Sequence, residues 1–324
     1  MLNLGIVGFG HVVINQHFPI LSANKDIKIN WVLEPKYNDI PLLKKLKIPV
    51  IESIDLFDQY PETDIVLITS PYGTRAPIFE VLKDKVRGIY CEKPFAKSID
   101  EHLSITEHYQ DYAFAIGYGR RSLGHVNIIK NAINDQIFGE LQAVECEYSY
   151  YSISSGSFHS NFDLAGGGIL FESGVHWIDT MLYIIDPLDL NIINANVEYN
   201  AKLDIHTEAD FSIKLNDNKD IDCKITITHL KKTDNKISYI FKDVIVELYL
   251  YDENQPPIII PKKGTGKKYE MSNFLKGVIP SSSLGQGVKF WEDYLSSFLN
   301  KQISYTNANQ SLLTTKVVEQ IYTF

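Results

Sequence analysis

This chain of 324 residues predicts two α/β domains in succession. The first is an N-terminal Rossmann-type doubly wound domain with a parallel sheet. The second is a C-terminal α/β domain with a large, mostly antiparallel open sheet, covered by helices on one face. Three observations carry this reading. Up to about Gly119, short apolar runs alternate with amphipathic stretches, the grammar of βαβ units around a sheet buried on both faces. The first apolar run closes on a glycine turn, Gly8-Phe9-Gly10. Beyond Gly119 the strands alternate apolar and polar residues, which suits a sheet buried on one face only. The boundary is expected at 118/119, dividing the chain into residues 1–118 and 119–324.

In the first half, strands are expected at Leu2–Val7, Ile27–Leu33, Ile65–Thr69, Gly88–Cys91 and Ala113–Gly117. Helices are expected between them at Asn15–Ala23, Ile40–Leu46, Arg75–Asp84 and Ile99–Gln110. The second half opens with a helix over Leu123–Asp135 and a long strand from Gly139-Glu140 to about Tyr151. In that strand Val144, Cys146, Tyr148 and Tyr150 share one face, and Glu145 and Glu147 the other. Ala209–Leu215 and Ile221–His229 alternate in the same way, and Gly168–Ile185 is the natural helical cover. Val288–Asn300 and Asn309–Tyr322 read as closing helices, and Asp252–Lys268 as a loop.

Composition excludes several classes. A formal net charge of −9 lacks the basic footprint of a nucleic-acid binder. No apolar run approaches the ~20 residues needed to cross a bilayer, and the start, Met1-Leu2-Asn3-Leu4-Gly5, has no basic leader. Cys91, Cys146 and Cys223 are odd in number, far apart and set in apolar strands, so neither a disulfide nor a metal site is expected. The expected compartment is the cytoplasm.

Gly8-Phe9-Gly10 follows a strand and precedes a helix, the context in which a glycine pair cradles a pyrophosphate at a helix N-terminus. The third glycine position holds Val13 instead. The second strand ends at Glu34, whose carboxylate suits ribose hydroxyls and repels a 2′-phosphate. NAD is therefore the favoured cofactor and NADP the alternative.

Two further groups complete a pattern: Cys91-Glu92-Lys93-Pro94, and Gly166-Gly167-Gly168 followed by Glu172, His176 and Asp179. With Thr69-Ser70-Pro71 and Gly117-Tyr118-Gly119-Arg120-Arg121, the chain resembles the Gfo/Idh/MocA oxidoreductases over nearly its whole length. The resemblance implies a dinucleotide-binding domain followed by a substrate-binding domain whose open sheet joins copies into a homodimer or homotetramer. It implies NAD(P)-dependent oxidation or reduction of a sugar, nucleotide sugar or cyclic polyol. It also implies cofactor contacts from Gly8, Phe9, Gly10, His11, Thr69, Ser70, Pro71, Glu92 and Lys93, and catalytic roles for Lys93, His176 and Glu172. The chain departs from the family at Glu172, where aspartate is commoner, at Gly119, often asparagine, and at Tyr72 and Arg75, often asparagine and histidine. An NAD-dependent glycoside hydrolase and a non-catalytic NAD-binding regulator are the competing readings.

The residue types suit the chemistry. Oxidising an alcohol needs a proton acceptor and positive charge at the developing alkoxide. Histidine exchanges protons near neutral pH, so His176 is the expected acid/base and Lys93 the charge, with Lys93 as base the alternative. Glu172, His176 and Asp179 fall at i, i+4 and i+7, one face of a regular helix, where either acid can orient the imidazole or bind a substrate hydroxyl. Tyr148, with Tyr150, Tyr151 and the stretch Ser154–His159, offers stacking faces for a sugar. Arg120 and Arg121 offer guanidinium groups for phosphate or carboxylate.

Overall fold

A computed structural model describes residues 1–59, 61–150, 157–217, 219–250, 256–262 and 283–324. The chain divides into two compact units. The first comprises Met1–Phe95, Asp100–Gly117 and Gly287–Asn309; the second comprises Ala96–Ile99, Tyr118–Gln286 and Gln310–Phe324. The main crossover thus follows Gly117, but the last third of the chain does not stay in the second unit as a single cut at 118/119 would require.

The first unit is built on six parallel strands: β1 (Leu2–Val7), β2 (Ile27–Leu33), β3 (Val50–Ile51), β4 (Ile65–Ile68), β5 (Gly88–Cys91) and β6 (Phe114–Ile116). Their order is β3-β2-β1-β4-β5-β6, with every pair parallel. The order reverses between β1 and β4, and in such sheets ligands lie at the carboxyl ends beside that reversal. The short β3 was not anticipated, since two residues carry no periodicity. The helix expected at Asn15–Ala23 forms, but its first part, Val13–His17, is wound as a π-turn before the α-helix Phe18–Ala23.

A helix from the far end of the sequence completes this unit. From Ser283–Asn300, the residues Phe290, Trp291, Tyr294 and Phe298 are buried in the same cluster as Leu4, Ile6, Leu67 and Tyr90. Trp291 stacks on Tyr90 with ring centroids 4.5 Å apart. Burying each such aromatic contributes on the order of 2 kcal/mol. That aromatic stripe is the reason Gly287–Asn309 belongs with the first unit, not the second.

The second unit carries a seven-stranded sheet of β7 (Leu141–Ser149), β8 (Asp189–Asn200), β9 (Leu203–Lys214), β10 (Asp220–Thr228), β11 (Lys236–Phe241), β12 (Val244–Tyr249) and β13 (Ile258–Pro261). The order is β13-β12-β11-β7-β10-β9-β8. Only β7 and β10 pair in parallel; the other pairs are antiparallel. Val144, Cys146, Cys223, Ile225 and Ile227 bury one face with Ile178 and Leu182 of the helix Val175–Ile185. Asp222 and Lys224 stand on the opposite, exposed face, where Lys224 lies across from Asp210. Part of the segment expected as a loop is strand: β13 occupies Ile258–Pro261, whereas residues 252–255 and 263–268 lie outside the described residues. No described helix is long and apolar enough to cross a membrane.

Candidate functional site

The glycine turn at the end of β1 is held from two sides. Gly8 adopts φ +86°, and a Cβ there would stand 2.9 Å from the Ser70 amide nitrogen, so only glycine fits. The Thr69 hydroxyl donates to the Gly8 carbonyl at 2.8 Å, strapping the end of β4 to the turn. From the end of β2, Glu34 accepts the Phe9 amide through Oε2 at 2.8 Å and the Lys36 amide through Oε1 at 3.0 Å. The carboxylate expected at the ribose is therefore also a fastener of the turn itself. The Phe9 side chain is fully buried against Phe18, so what Phe9 lends the turn is backbone. Val13, at the third glycine position, is likewise buried and begins the π-turn.

Gly10 differs from Gly8. A Cβ at Gly10 would meet nothing within 4 Å, which leaves room for a ligand against the backbone. His11 beside it is exposed and starts a helix whose leading amides have no intrahelical partner, the usual anion cradle. Ser70 Oγ is buried with no hydrogen-bond partner among the described residues. An open glycine, a helix N-terminus, an orphaned hydroxyl and an acid at the end of β2 together fit a dinucleotide.

Lys93 and Pro94 follow β5 through a cis peptide. Glu92, just before Lys93, is oriented by a relay that the sequence did not announce. The Trp291 indole N–H donates to His17 Nδ1 at 2.9 Å. An indole nitrogen can only donate, so the imidazole proton sits on Nε2, which faces Glu92 Oε1 at 3.1 Å. The two residues that depart from the family after Pro71 are also anchored. Tyr72 donates to Glu101 at 2.7 Å, and burial, then Glu101, raise its pKa so that it stays protonated. Arg75 is buried and donates to the main chain around Ser70, Glu92 and Pro94. Burial likewise pushes the Cys91 thiol up to about 11.

In the second unit the run Gly166-Gly167-Gly168 leads into a π-turn, Leu170–Gly174, and then the helix Val175–Ile185. A Cβ on Gly168 would come within 1.9 Å of the Asp204 carbonyl oxygen. That approach lets the Asp204 carboxylate cap the helix start, accepting the Gly168 amide at 2.5 Å and the Leu170 amide at 2.7 Å. The Tyr322 hydroxyl completes the cap at 2.7 Å. Asp204 and Tyr322 lie far from the glycines in sequence, and no local motif marks them.

The π-turn breaks the single face expected for Glu172, His176 and Asp179, since its wider winding rotates Glu172 relative to the α-helical register. Glu172 lies 3.6 Å from His159, bringing two expected site residues together, and accepts the Ser173 hydroxyl at 3.1 Å. His176 is half-buried, its ring edge-on to Tyr118 at 6.2 Å. Asp179 points away from any ligand. It is 1% exposed and accepts Arg121 Nε at 2.9 Å and Nη2 at 2.5 Å. Thr314 adds a third donor at 3.2 Å. The expectation of a substrate role for Asp179 is therefore corrected to a buried ion pair, and Arg121 is spent with it.

Tyr148 requires a correction as well. Its ring is buried and stacked on Trp177 at 5.2 Å, a core position with no face left for a sugar. The Arg120 guanidinium lies over the same indole at 5.2 Å. Tyr150 is exposed, whereas Tyr151 and Ser154 fall outside the described residues. Among the described residues no cluster of His, Cys, Asp and Glu has the makings of a metal site.

Residues 2–115 match the model of an oxidoreductase family with an NAD-binding Rossmann fold, GFO_IDH_MocA. Residues 126–238 match a GFO/IDH/MocA C-terminal domain. Several solved structures share the fold. KijD10, a 3-ketoreductase from Actinomadura kijaniata solved with NADP and TDP-benzene, superposes with TM-score 0.80 at 13% identity, covering 99% of this chain and 97% of that one. The WlbA dehydrogenase from Chromobacterium violaceum, with NADH and UDP-GlcNAcA, gives 0.78 at 16% identity, covering 99% and 93%. An aldose-aldose oxidoreductase from Caulobacter crescentus, complexed with glycerol, gives 0.76 at 15% identity, covering 99% and 96%. No curated protein matches the chain in sequence.

Proposed function

We propose, for a chain that belongs to the Gfo/Idh/MocA oxidoreductases and carries their NAD-binding Rossmann domain, that it moves a hydride between nicotinamide and a secondary alcohol or ketone of a sugar, nucleotide sugar or cyclic polyol. The observation that carries this reading is the turn at Gly8 and Gly10: one glycine locked onto β4, the other facing open space. Bound NAD supplies the hydride acceptor. Gly10, the helix starting at His11 and Ser70 are the groups proposed to hold it, with Glu34 favouring NAD over NADP by its negative charge.

The remaining steps fall to side chains of this chain. In the oxidising direction the hydroxyl proton passes to His176 as the carbinol carbon gives up its hydride, and Lys93 stabilises the developing alkoxide. Glu172 and His159, 3.6 Å apart, form a polar pair suited to gripping a neighbouring hydroxyl. Nucleotide sugars belong among the candidates because KijD10 and WlbA were solved with nucleotide-linked ligands. We assign the open face of the second sheet, with its exposed Glu145, Asp222 and Lys224, to pairing with a second copy, testable by light scattering. Three buried free thiols suit a reducing cytoplasm.

A panel of aldoses, cyclic polyols and nucleotide sugars, followed by nicotinamide absorbance, tests the reading. Net NADH formation with one class is the expected result. Substrate consumption without NADH release is the signature of the hydrolase alternative, and NADH binding with no turnover of any member that of a regulator.

A further inference from the structure

We propose that Arg75 is the positioning residue for Lys93. Its guanidinium is 4% exposed. Nε donates to the Ser70 carbonyl at 2.8 Å, fixing the fork to the end of β4. Nη1 then donates to the Glu92 carbonyl at 2.6 Å and the Pro94 carbonyl at 2.5 Å. Those carbonyls belong to the residues immediately before and after Lys93, so one nitrogen brackets the lysine. The same nitrogen reaches Cys91 Sγ at 3.5 Å, extending the hold back into β5.

The chemistry of the residue explains why arginine stands here. A planar guanidinium presents several donors in a fixed fork and stays charged when buried, whereas a lysine carries a single compact ammonium on a flexible stem. Carbonyls of three separate backbone positions converge on that fork. Removing it leaves them buried without donors, at about 1–3 kcal/mol for each one that water cannot reach. With both flanking carbonyls fixed, the backbone at Lys93 cannot swing, and only the side chain retains freedom. A general charge-stabilising group works by being pre-placed, because reorganisation during the reaction erodes its effect.

The catalytic consequence rests on the hydride-transfer reading, but the positioning itself is measurable without substrate. The full-length protein is reductively methylated at its lysines with isotope-labelled formaldehyde, and the Lys93 resonance is identified by its loss in Lys93→Met. The spectrum and its pH titration are then compared in Arg75→Lys and Arg75→Met, with and without NAD. In both variants the Lys93 signal should move toward the envelope of exposed lysines, further in Arg75→Met. NADH affinity, which depends on the glycine turn, should stay within about threefold of the parent. Arg75→Lys keeps the charge and loses the fork, so it decides alone if Arg75→Met is too unstable to measure. A folded variant whose Lys93 signal and titration match the parent would overturn the proposal. Absence of turnover on every sugar would instead sink the hydride-transfer reading and leave the positioning result standing.

Discussion

Glycine does opposite work in the two units. At Gly10 the missing side chain leaves space that the protein does not fill, whereas at Gly168 the space is filled by the Asp204 backbone, 1.9 Å from where a Cβ would sit. The first is a vacancy kept for a ligand; the second is a close approach that builds a helix cap. Both look alike in sequence, as glycine before a helix. A glycine motif therefore reports function only when the environment of its missing Cβ is known.

This contrast can be broken experimentally, most forcefully in the second unit. Asp179→Ala leaves the Arg121 guanidinium buried without its carboxylate, and should cost about 3–5 kcal/mol in urea unfolding. A stable Asp179→Ala protein with altered substrate affinity alone would return Asp179 to the site. Next in size, Gly168→Ala forces a methyl into the Asp204 backbone and should cost about 3 kcal/mol, read as a lowered midpoint in thermal unfolding.

Gly10→Ala should do the reverse. With nothing within 4 Å of the new methyl, stability should change by less than about 1 kcal/mol. NADH affinity, followed by nicotinamide fluorescence, should fall by roughly tenfold or more, since the methyl enters the space of the pyrophosphate. An Ala variant that binds NADH normally would remove the turn from the cofactor site. The smallest effect is expected at Glu34→Ala. The preference for NAD over NADP should shrink by about tenfold once the carboxylate is gone. Tighter NADPH than NADH binding by the unaltered protein would contradict that reading outright.

The two units also differ in how much their sequences disclosed. The first unit was legible because β1, β2, β4 and β5 are short, apolar throughout and punctuated by glycine and proline. Its missing piece, the helix with Phe290, Trp291, Tyr294 and Phe298, has the right period for a helix, but nothing local says which core it joins. In the second unit β7 and β10 alternate cleanly and were readable. β8 is interrupted by Asn191, Asn194, Asn196 and Asn200, residues that disfavour strands, and is held by its pairing with β9. β11 and β12 are short, and β13 lies in a stretch whose prolines and lysines read as a loop.

The candidate site was legible where chemistry is local. The Gly8 turn, the Glu92-Lys93-Pro94 turn and His176 stand in sequence patterns that state their use. Asp179 misled because helical spacing assumed regular winding through Leu170–Gly174, where the backbone is a π-turn. Tyr148 misled because an alternating strand does not say that its apolar face is already taken by Trp177. Asp204, His17 and Trp291 act across long sequence separations, and only the fold brings them to Gly168 and Glu92.

The most direct test of the account is single-turnover hydride transfer in Lys93→Met and His176→Ala proteins, using the sugar class that reduces NAD in the parent. Each variant is first required to keep the parent's melting temperature and NADH affinity. Hydride transfer should slow by about 10²–10⁴-fold in each, the scale of losing a proton-transfer or charge-stabilising group. A folded His176→Ala protein that transfers hydride at the parent's rate would contradict the assignment of His176 as the acid/base, and the same result for Lys93→Met would contradict the mechanism at its centre.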